Sequence, residues 1–302
     1  MEIKRALVIS GGGAKGAFAG GEIEALYEKG KRWNNFYGTS TGSLLITLAS
    51  IEEIQRLKES YTNVSNSDVF SIDPFTKNGK INVFNAVWRL LRKKNSLGET
   101  RNLEKHIRKM FTESDFKKSL EMEKTLCSCS TDFTSGKPVF VYNSYGTDYN
   151  TYLKFTMSSV GVPVFMEPVE RNGHFYLDGG VMEHVPLQRA IEDGCDEIDC
   201  LVLRPEKFED DNWKPSGVFS VLTRTLDLML REISFDDIVI GKLVPTKKVT
   251  INILYTPYNL TSESLMFNKE QMKKWWKEGY EYASGNFTNI RTFTYKKNKW
   301  IC

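Results

Sequence analysis

Histidine is scarce in this chain: only His106, His174 and His184 are present. Serine chemistry that relies on an imidazole base must therefore draw on one of these three or do without. Cysteine is almost as sparse, at Cys127, Cys129, Cys195, Cys200 and Cys302. The odd count, the lack of a C-x-x-C pair and the lack of a neighbouring histidine pattern argue against a disulfide framework or a zinc site. The expectation is buried, reduced thiols in a reducing compartment, with no metal. An excess of one charge is also missing, since 41 Lys and Arg face 38 Asp and Glu for a formal net charge of +3. That balance disfavours a nucleic-acid partner and leaves room for mild attraction to an anionic membrane. Long apolar runs are absent too: Ser43–Ile51 is far too short to span a bilayer. The opening Met1–Arg5 leads straight into a strand with no signal-peptide core. A cytoplasmic location follows as an expectation, with peripheral membrane contact left open. The N-x-S/T matches at Asn63, Asn259 and Asn286 are then chance matches.

What is present is ordinary globular composition, 40% hydrophobic and 26% charged, with no repeat, no low-complexity linker and no composition break. The expectation is one domain over residues 1–302. Arg5–Ser10 reads as a buried parallel strand. A helix over Ala14–Glu28 follows, then a strand at Trp33–Tyr37 and a helix from Thr41 to Ile51. This alternation predicts an α/β layered fold with its functional loops at the carboxyl ends of the strands. Residues 52–119 read as helical and polar-rich. Lys124–Phe133 and Pro138–Tyr142 flank a turn and read as a hairpin. Further strands are expected at His174–Leu177, Glu197–Leu203 and Val249–Tyr255, and helices at Pro186–Asp193, Val218–Ile233 and Lys269–Ala283.

Two glycine-rich turns carry the chemistry. Gly38-Thr39-Ser40-Thr41-Gly42 has the G-x-S-x-G form that lifts a serine on a strained strand-to-helix turn. The helix start adds positive potential where negative charge develops. The bland alternative for Ser40 is an ordinary helix N-cap. Gly11-Gly12-Gly13-Ala14-Lys15-Gly16 follows the first strand and offers backbone N–H groups to an oxyanion. It also fits the G-x-G-x-x-G dinucleotide fingerprint. That fingerprint expects an acidic residue at the end of the second strand, where Gly38-Thr39-Ser40 stands instead. It is not a P-loop, because Lys15 is followed by Gly16. As for a base, His106 reads as a solvated helix residue, and no histidine follows His184 to complete the α/β-hydrolase order. Asp178 ends a strand and precedes Gly179 and Gly180, whose lack of side chains lets another loop approach. By itself it is equally a turn aspartate.

Taken in order, the Gly11–Gly16 loop, Gly38–Gly42 and Asp178-Gly179-Gly180 resemble the patatin-like phospholipase family. Ser158–Pro163, Phe165 and Pro168 before Asp178, and Pro186, Ala190 and Gly194 after it, look similar as well. The resemblance runs from about residue 5 to 203 and weakens over 204–302. It implies a three-layer α/β/α fold with a mainly parallel sheet and a Ser-Asp dyad without histidine. Ser40 would be the nucleophile, Asp178 the base, and Gly11 to Gly16 the oxyanion site, with no cofactor or metal. The substrate implied is a lipid, at a membrane interface or free. An aspartate with pKa near ~4 is a weak base at neutral pH, so burial would have to raise it. Two residues depart from the family pattern: Lys15 where Arg is frequent, and His184 where Asn is frequent before the proline. His184 is expected near the dyad, either orienting its loop and tuning Asp178 or serving only as a loop residue. Asn82–Lys94 reads as a basic amphipathic helix that can lie on a membrane, although such apolar faces ordinarily pack on their own domain. Trp275-Trp276 poses the same question. Two other readings stay open: an α/β ligand- or nucleotide-binding protein using the first loop, and a patatin-fold effector with little turnover.

Overall fold

The computed structural model describes residues 3–144, 146–207, 213–245, 247–285, 290–296 and 299–301. The chain opens with β1 (Arg5–Ile9), a 3-10 turn at Gly13–Lys15, α1 (Gly16–Glu28), β2 (Asn35–Thr39) and α2 (Thr41–Ser50). A helical stretch follows: α3 (Ile54–Thr62), α4 (Asn66–Val69), α5 (Val83–Leu91), α6 (Arg101–Met110) and α7 (Glu113–Glu121). Next come β3 (Thr125–Asp132), β4 (Lys137–Tyr142), α8 (Tyr149–Ser159), β5 (Val169–Arg171), β6 (His174–Asp178), α9 (Leu187–Glu192) and β7 (Glu197–Val202). The last elements are α10 (Val218–Leu243), β8 (Val249–Tyr255), α11 (Lys269–Ser284), β9 (Ile290–Lys296) and β10 (Lys299–Ile301).

These strands form one sheet in the order β10-β9-β8-β7-β1-β2-β3-β6-β5, with β4 also paired to β3. The five central strands β8-β7-β1-β2-β3 are parallel, and the outer ones are antiparallel. Helices cover both faces, which is why β1, at the centre, is apolar and buried from Ala6 to Ile9. In β1, Leu7 and Ile9 face a core built with α1, α2 and α11, through Phe18, Leu45 and Trp276 among others. Ala6 and Val8 face the opposite core, where α9 and α10 contribute Leu187, Ala190 and Ile238. This is the three-layer α/β/α arrangement expected from the sequence. A third cluster lies under α4 to α6 and α8, around Phe70, Leu103, Leu153 and Phe165.

The late elements join the same sheet and helix layers. β8 pairs with β7. α11 seats Trp276 over Gly20 and Gly21 of α1, with its indole N–H on Glu24 at 2.5 Å. Trp275 and Trp276 are therefore core residues. Several boundaries differ from the sequence expectation. The second strand runs over Asn35–Thr39 because Trp33 turns away to bond Asp199 at 2.8 Å, and pairing with β1 starts at Asn35. The Gly13–Lys15 turn replaces the first residues of the expected Ala14–Glu28 helix. α10 extends to Leu243 rather than Ile233. α8, β5, β9 and β10 were not expected at all. Cys127, Cys129, Cys195 and Cys200 are buried and free. Met1, Glu2, Asn286 and Cys302 lie outside the described residues.

Candidate active site

Ser40 occupies the junction of β2 and α2 with φ 53° and ψ −126°. Positive φ in a residue with a Cβ is strained, and such strain persists only where its surroundings impose it. Those surroundings are visible. A side chain at Gly42 would sit 2.3 Å from the Ile9 carbonyl, so α2 crosses β1 only because that position is bare. Gly38 is closed upon by the first turn of the same helix. The Ser43 hydroxyl donates to the Gly38 carbonyl at 2.7 Å and fastens helix to strand. The Ser40 N–H donates to the Ser159 hydroxyl at 2.9 Å, and that hydroxyl in turn donates to the Cys129 carbonyl. Ser159 belongs to the Ser158–Pro163 stretch, but its place beside Ser40 depends on α8, which the sequence pattern does not announce.

Register delivers the partner. β2 pairs with β3 up to Thr39 opposite Cys129, and β6 takes over the same edge with Asp178 opposite Ser130. The carboxyl ends of β2 and β6 thus meet head to head along β3, with β4 occupying its other edge. Ser40 Oγ consequently donates to Asp178 Oδ2 at 2.7 Å. The other carboxylate oxygen accepts the Gly180 N–H at 2.8 Å, and Gly179 lies against the Cys129 backbone. Burial raises the Asp178 pKa to about 7, against the opposing pull of the Ser40 hydroxyl and the Gly180 N–H.

The loop after β1 supplies fewer donors than its length suggests. The Gly11 N–H goes to the His184 carbonyl at 3.1 Å, the Ala14 N–H to Ser264 at 2.8 Å and the Lys15 N–H to Gly12 at 3.2 Å. The Gly16 N–H turns back onto the Gly13 carbonyl. Among the described residues, Gly12 and Gly13 keep N–H groups that no protein acceptor takes. Gly11 is wedged: a Cβ there would lie 2.9 Å from His184 Nε2 and 3.3 Å from Ser40 Cβ. Lys15 directs its side chain into the interior, where burial and the charges of Arg204 and Arg231 lower its pKa to about 7, with Asp227 opposing.

No histidine hydrogen-bonds Ser40 among the described residues. His184 stands closest to the turn, and its loop is clamped by α10: the Val185 N–H donates to Asp237 at 2.8 Å. The Ser234 hydroxyl donates to the Leu230 carbonyl and so accepts from His184 Nδ1 at 2.7 Å. Burial, with Arg204 and Lys15 nearby, holds the imidazole pKa well below its ordinary value, so it is neutral. His184 orients the loop through its carbonyl and its Nδ1; the groups acting on Asp178 do not include it. His106 corrects the sequence expectation of a solvated residue, being half-buried with Nε2 on the Ser60 carbonyl at 3.0 Å. His174 pairs with Asp132 at 2.7 Å on the far end of β6.

Ser40, Thr41 and Gly13 open into a pocket of about 560 Å³, its mouth included, lined by Leu44, Val69, Leu103, Met110, Val160 and Met166. Tyr61 closes one wall, bonding the Gly13 carbonyl at 2.8 Å and the Thr41 hydroxyl. A serine bonded to a carboxylate of raised pKa, two unclaimed N–H groups and an apolar slot are together suited to acyl transfer from a lipid-like ester. Among the described residues, no group of three or more His, Cys, Asp or Glu is placed to hold a metal ion.

The family model for patatin-like phospholipases matches residues 7–191. A probable lipid hydrolase, 463L of Invertebrate iridescent virus 6, is 27% identical over 197 residues, 62% of this chain and 63% of that relative. The match thus spans less than two thirds of the relative's length. Among solved structures, VipD from Legionella pneumophila superposes with a TM-score of 0.52 at 16% identity, covering 94% of this chain and 66% of that one.

Proposed function

This chain belongs to the patatin-like phospholipase family, and we propose that it is a serine lipid acyl hydrolase of phospholipase A type. Its substrates are fatty-acyl esters of phospholipids or related lipids. The observation that carries this reading is the 2.7 Å contact from Ser40 Oγ to Asp178 Oδ2, made by a serine that lines an apolar pocket.

In the proposed reaction, Ser40 Oγ attacks the ester carbonyl carbon as its proton passes to Asp178. The carbonyl oxygen becomes an oxyanion and receives the N–H groups of Gly12 and Gly13, while the start of α2 adds positive potential. Collapse of the intermediate breaks the bond to the alcohol, which leaves with the proton from Asp178. Water then attacks the acyl-Ser40 ester, gives its proton to Asp178 and releases the fatty acid, and Ser40 recovers its proton. A carboxylate with pKa about 7 suits this double role, because general-base efficiency is best when the pKa lies near the working pH. Ser159 and His184 act as positioning residues, one holding the Ser40 backbone and the other the Gly11 loop.

The test is a lipid panel incubated with wild type and Ser40→Ala and read by mass spectrometry, alongside a fluorophosphonate probe. Wild type should release fatty acid and take the probe, and Ser40→Ala should do neither. Fatty-acid release that survives in Ser40→Ala would sink the reading.

A further inference from the structure

Helix α5 is inside out. Its buried positions are Ala86 and Arg89, whereas Val83, Phe84, Val87, Trp88, Leu90 and Leu91 face solvent, with Phe84 84% and Leu91 79% exposed. At 3.6 residues per turn these six fall within an arc of about 160°. The arginine is held inside by the Ser96 carbonyl at 2.6 Å and by Glu99 at 3.1 Å. Its burial fixes the rotation of the helix, so the apolar face cannot turn inward without stranding a charge. Exposed apolar patches beyond roughly a few hundred Å² mark interaction surfaces on single chains.

Charge selects the occupant. Between Asp73 and Glu99 the sequence has no acidic residue. Lys77 and Lys80, ahead of the helix, and Arg92, Lys93 and Lys94, at its carboxyl end, are all exposed. Arg92 stacks over Trp88 at 4.1 Å. A basic rim around large apolar side chains complements an anionic lipid surface, with the side chains among the acyl groups and the cations at the headgroups.

Position agrees. Ala86 packs in the cluster that also holds Val69, Leu103, Val160 and Met166, and those four line the pocket beside Ser40. The segment after the helix bonds the Val164 and Phe165 carbonyls at 2.7 and 3.0 Å, and Val164 is itself exposed. The buried side of α5 and the wall of the pocket therefore share one side-chain cluster.

We propose that the outward face of α5, with its rim of Lys77, Lys80, Arg92, Lys93 and Lys94, inserts into an anionic phospholipid bilayer and delivers substrate to the Ser40 pocket. The delivery role rests on the lipid-hydrolase reading; the docking does not. The test is flotation of Ser40→Ala with phosphatidylcholine vesicles containing or lacking phosphatidylserine. Binding should need phosphatidylserine and weaken with salt. Phe84→Asp/Leu91→Asp should lose it by at least about tenfold, and Arg92→Gln/Lys93→Gln/Lys94→Gln by roughly a hundredfold at about a factor of five per cation. Both changes lie on exposed side chains, and circular dichroism checks that the fold persists. In the background with Ser40 intact, Phe84→Asp/Leu91→Asp should keep the rate on a dissolved short-chain ester and lose the rate on vesicles. Vesicle binding unchanged by these variants, no binding by the parent, or a dimer through this face in place of vesicle binding overturns the proposal. Loss of ester hydrolysis in neither Ser40→Ala nor Asp178→Asn instead overturns the hydrolase reading and leaves the docking intact.

Discussion

Asp178 and Asp132 face the same short ladder between β3 and β6, two residues apart in register, with Asp178 opposite Ser130 and Asp132 opposite Tyr176. Their chemistry is opposite. Asp132 accepts from the Ser135 hydroxyl at 2.6 Å, from His174 at 2.7 Å, and from the N–H groups of Thr134 and Ser135. The Ser135 hydroxyl, followed by His174 and these N–H groups, holds its pKa down at about 2. Asp178 has one hydroxyl and one N–H, and burial prevails. The number of donors given to a carboxylate, set against its burial, decides whether it is an inert anchor or a base. Residue types mislead here. Ser135, His174 and Asp132 contain the three members of a serine triad, yet both side chains donate to one carboxylate, so no base stands ready for the serine proton. The pair with no histidine is the better equipped of the two.

The largest expected effect separates these aspartates directly. Asp178→Asn should lower kcat by at least about a thousandfold, as loss of a catalytic base does. Asp132→Asn should stay within about threefold of wild type, because Asp132 is bonded to Thr134, Ser135 and His174 and to no group of the Ser40 site. Initial rates on one lipid ester decide it, and equal losses in both variants would dissolve the contrast. The pH profile sharpens it further. Protonated Asp178 cannot accept the Ser40 proton, so kcat/KM should fall about tenfold per unit as pH drops below about 7 and level off above it. A limb near 4 would mean that the base is an ordinary exposed carboxylate.

Much of this was legible in the sequence because it depends on local geometry. Gly38 to Gly42 and Gly11 to Gly16 announce tight turns after apolar strands, and both turns stand where strand alternation puts them. The donor inventory of the first loop was not legible: which N–H groups are engaged depends on Ser264 and His184, far along the chain. Ser159 was hidden for the same reason. The hairpin of β5 and β6 does carry a local signal, Asn172-Gly173, whose φ values of 52° and 78° suit a tight two-residue turn. For α5 the amphipathic pattern was read, but its direction was not, because that depends on Arg89 finding Glu99 and Ser96 inside. The usual inward orientation is reversed.

The smallest predicted effect concerns stability and carries opposite signs at the two aspartates. The raised Asp178 pKa means the folded state keeps a proton that the unfolded chain, near ~3.9, has released. Stability from this group is therefore lost as pH rises from about 4 through about 7, with a penalty of no more than about 4 kcal/mol above that. Asp178→Asn removes the penalty and should raise Tm by roughly 5 °C at pH 8, with almost no change at pH 4. The lowered Asp132 pKa works the other way: its contribution is full above about 4 and is lost as pH falls through about 2. Asp132→Asn should therefore lower Tm at pH 8, where Asp178→Asn raises it. Thermal melts of both variants at the two pH values measure this, and a fall in Tm for Asp178→Asn at pH 8 would show that its carboxylate is stabilised in the fold, as that of Asp132 is.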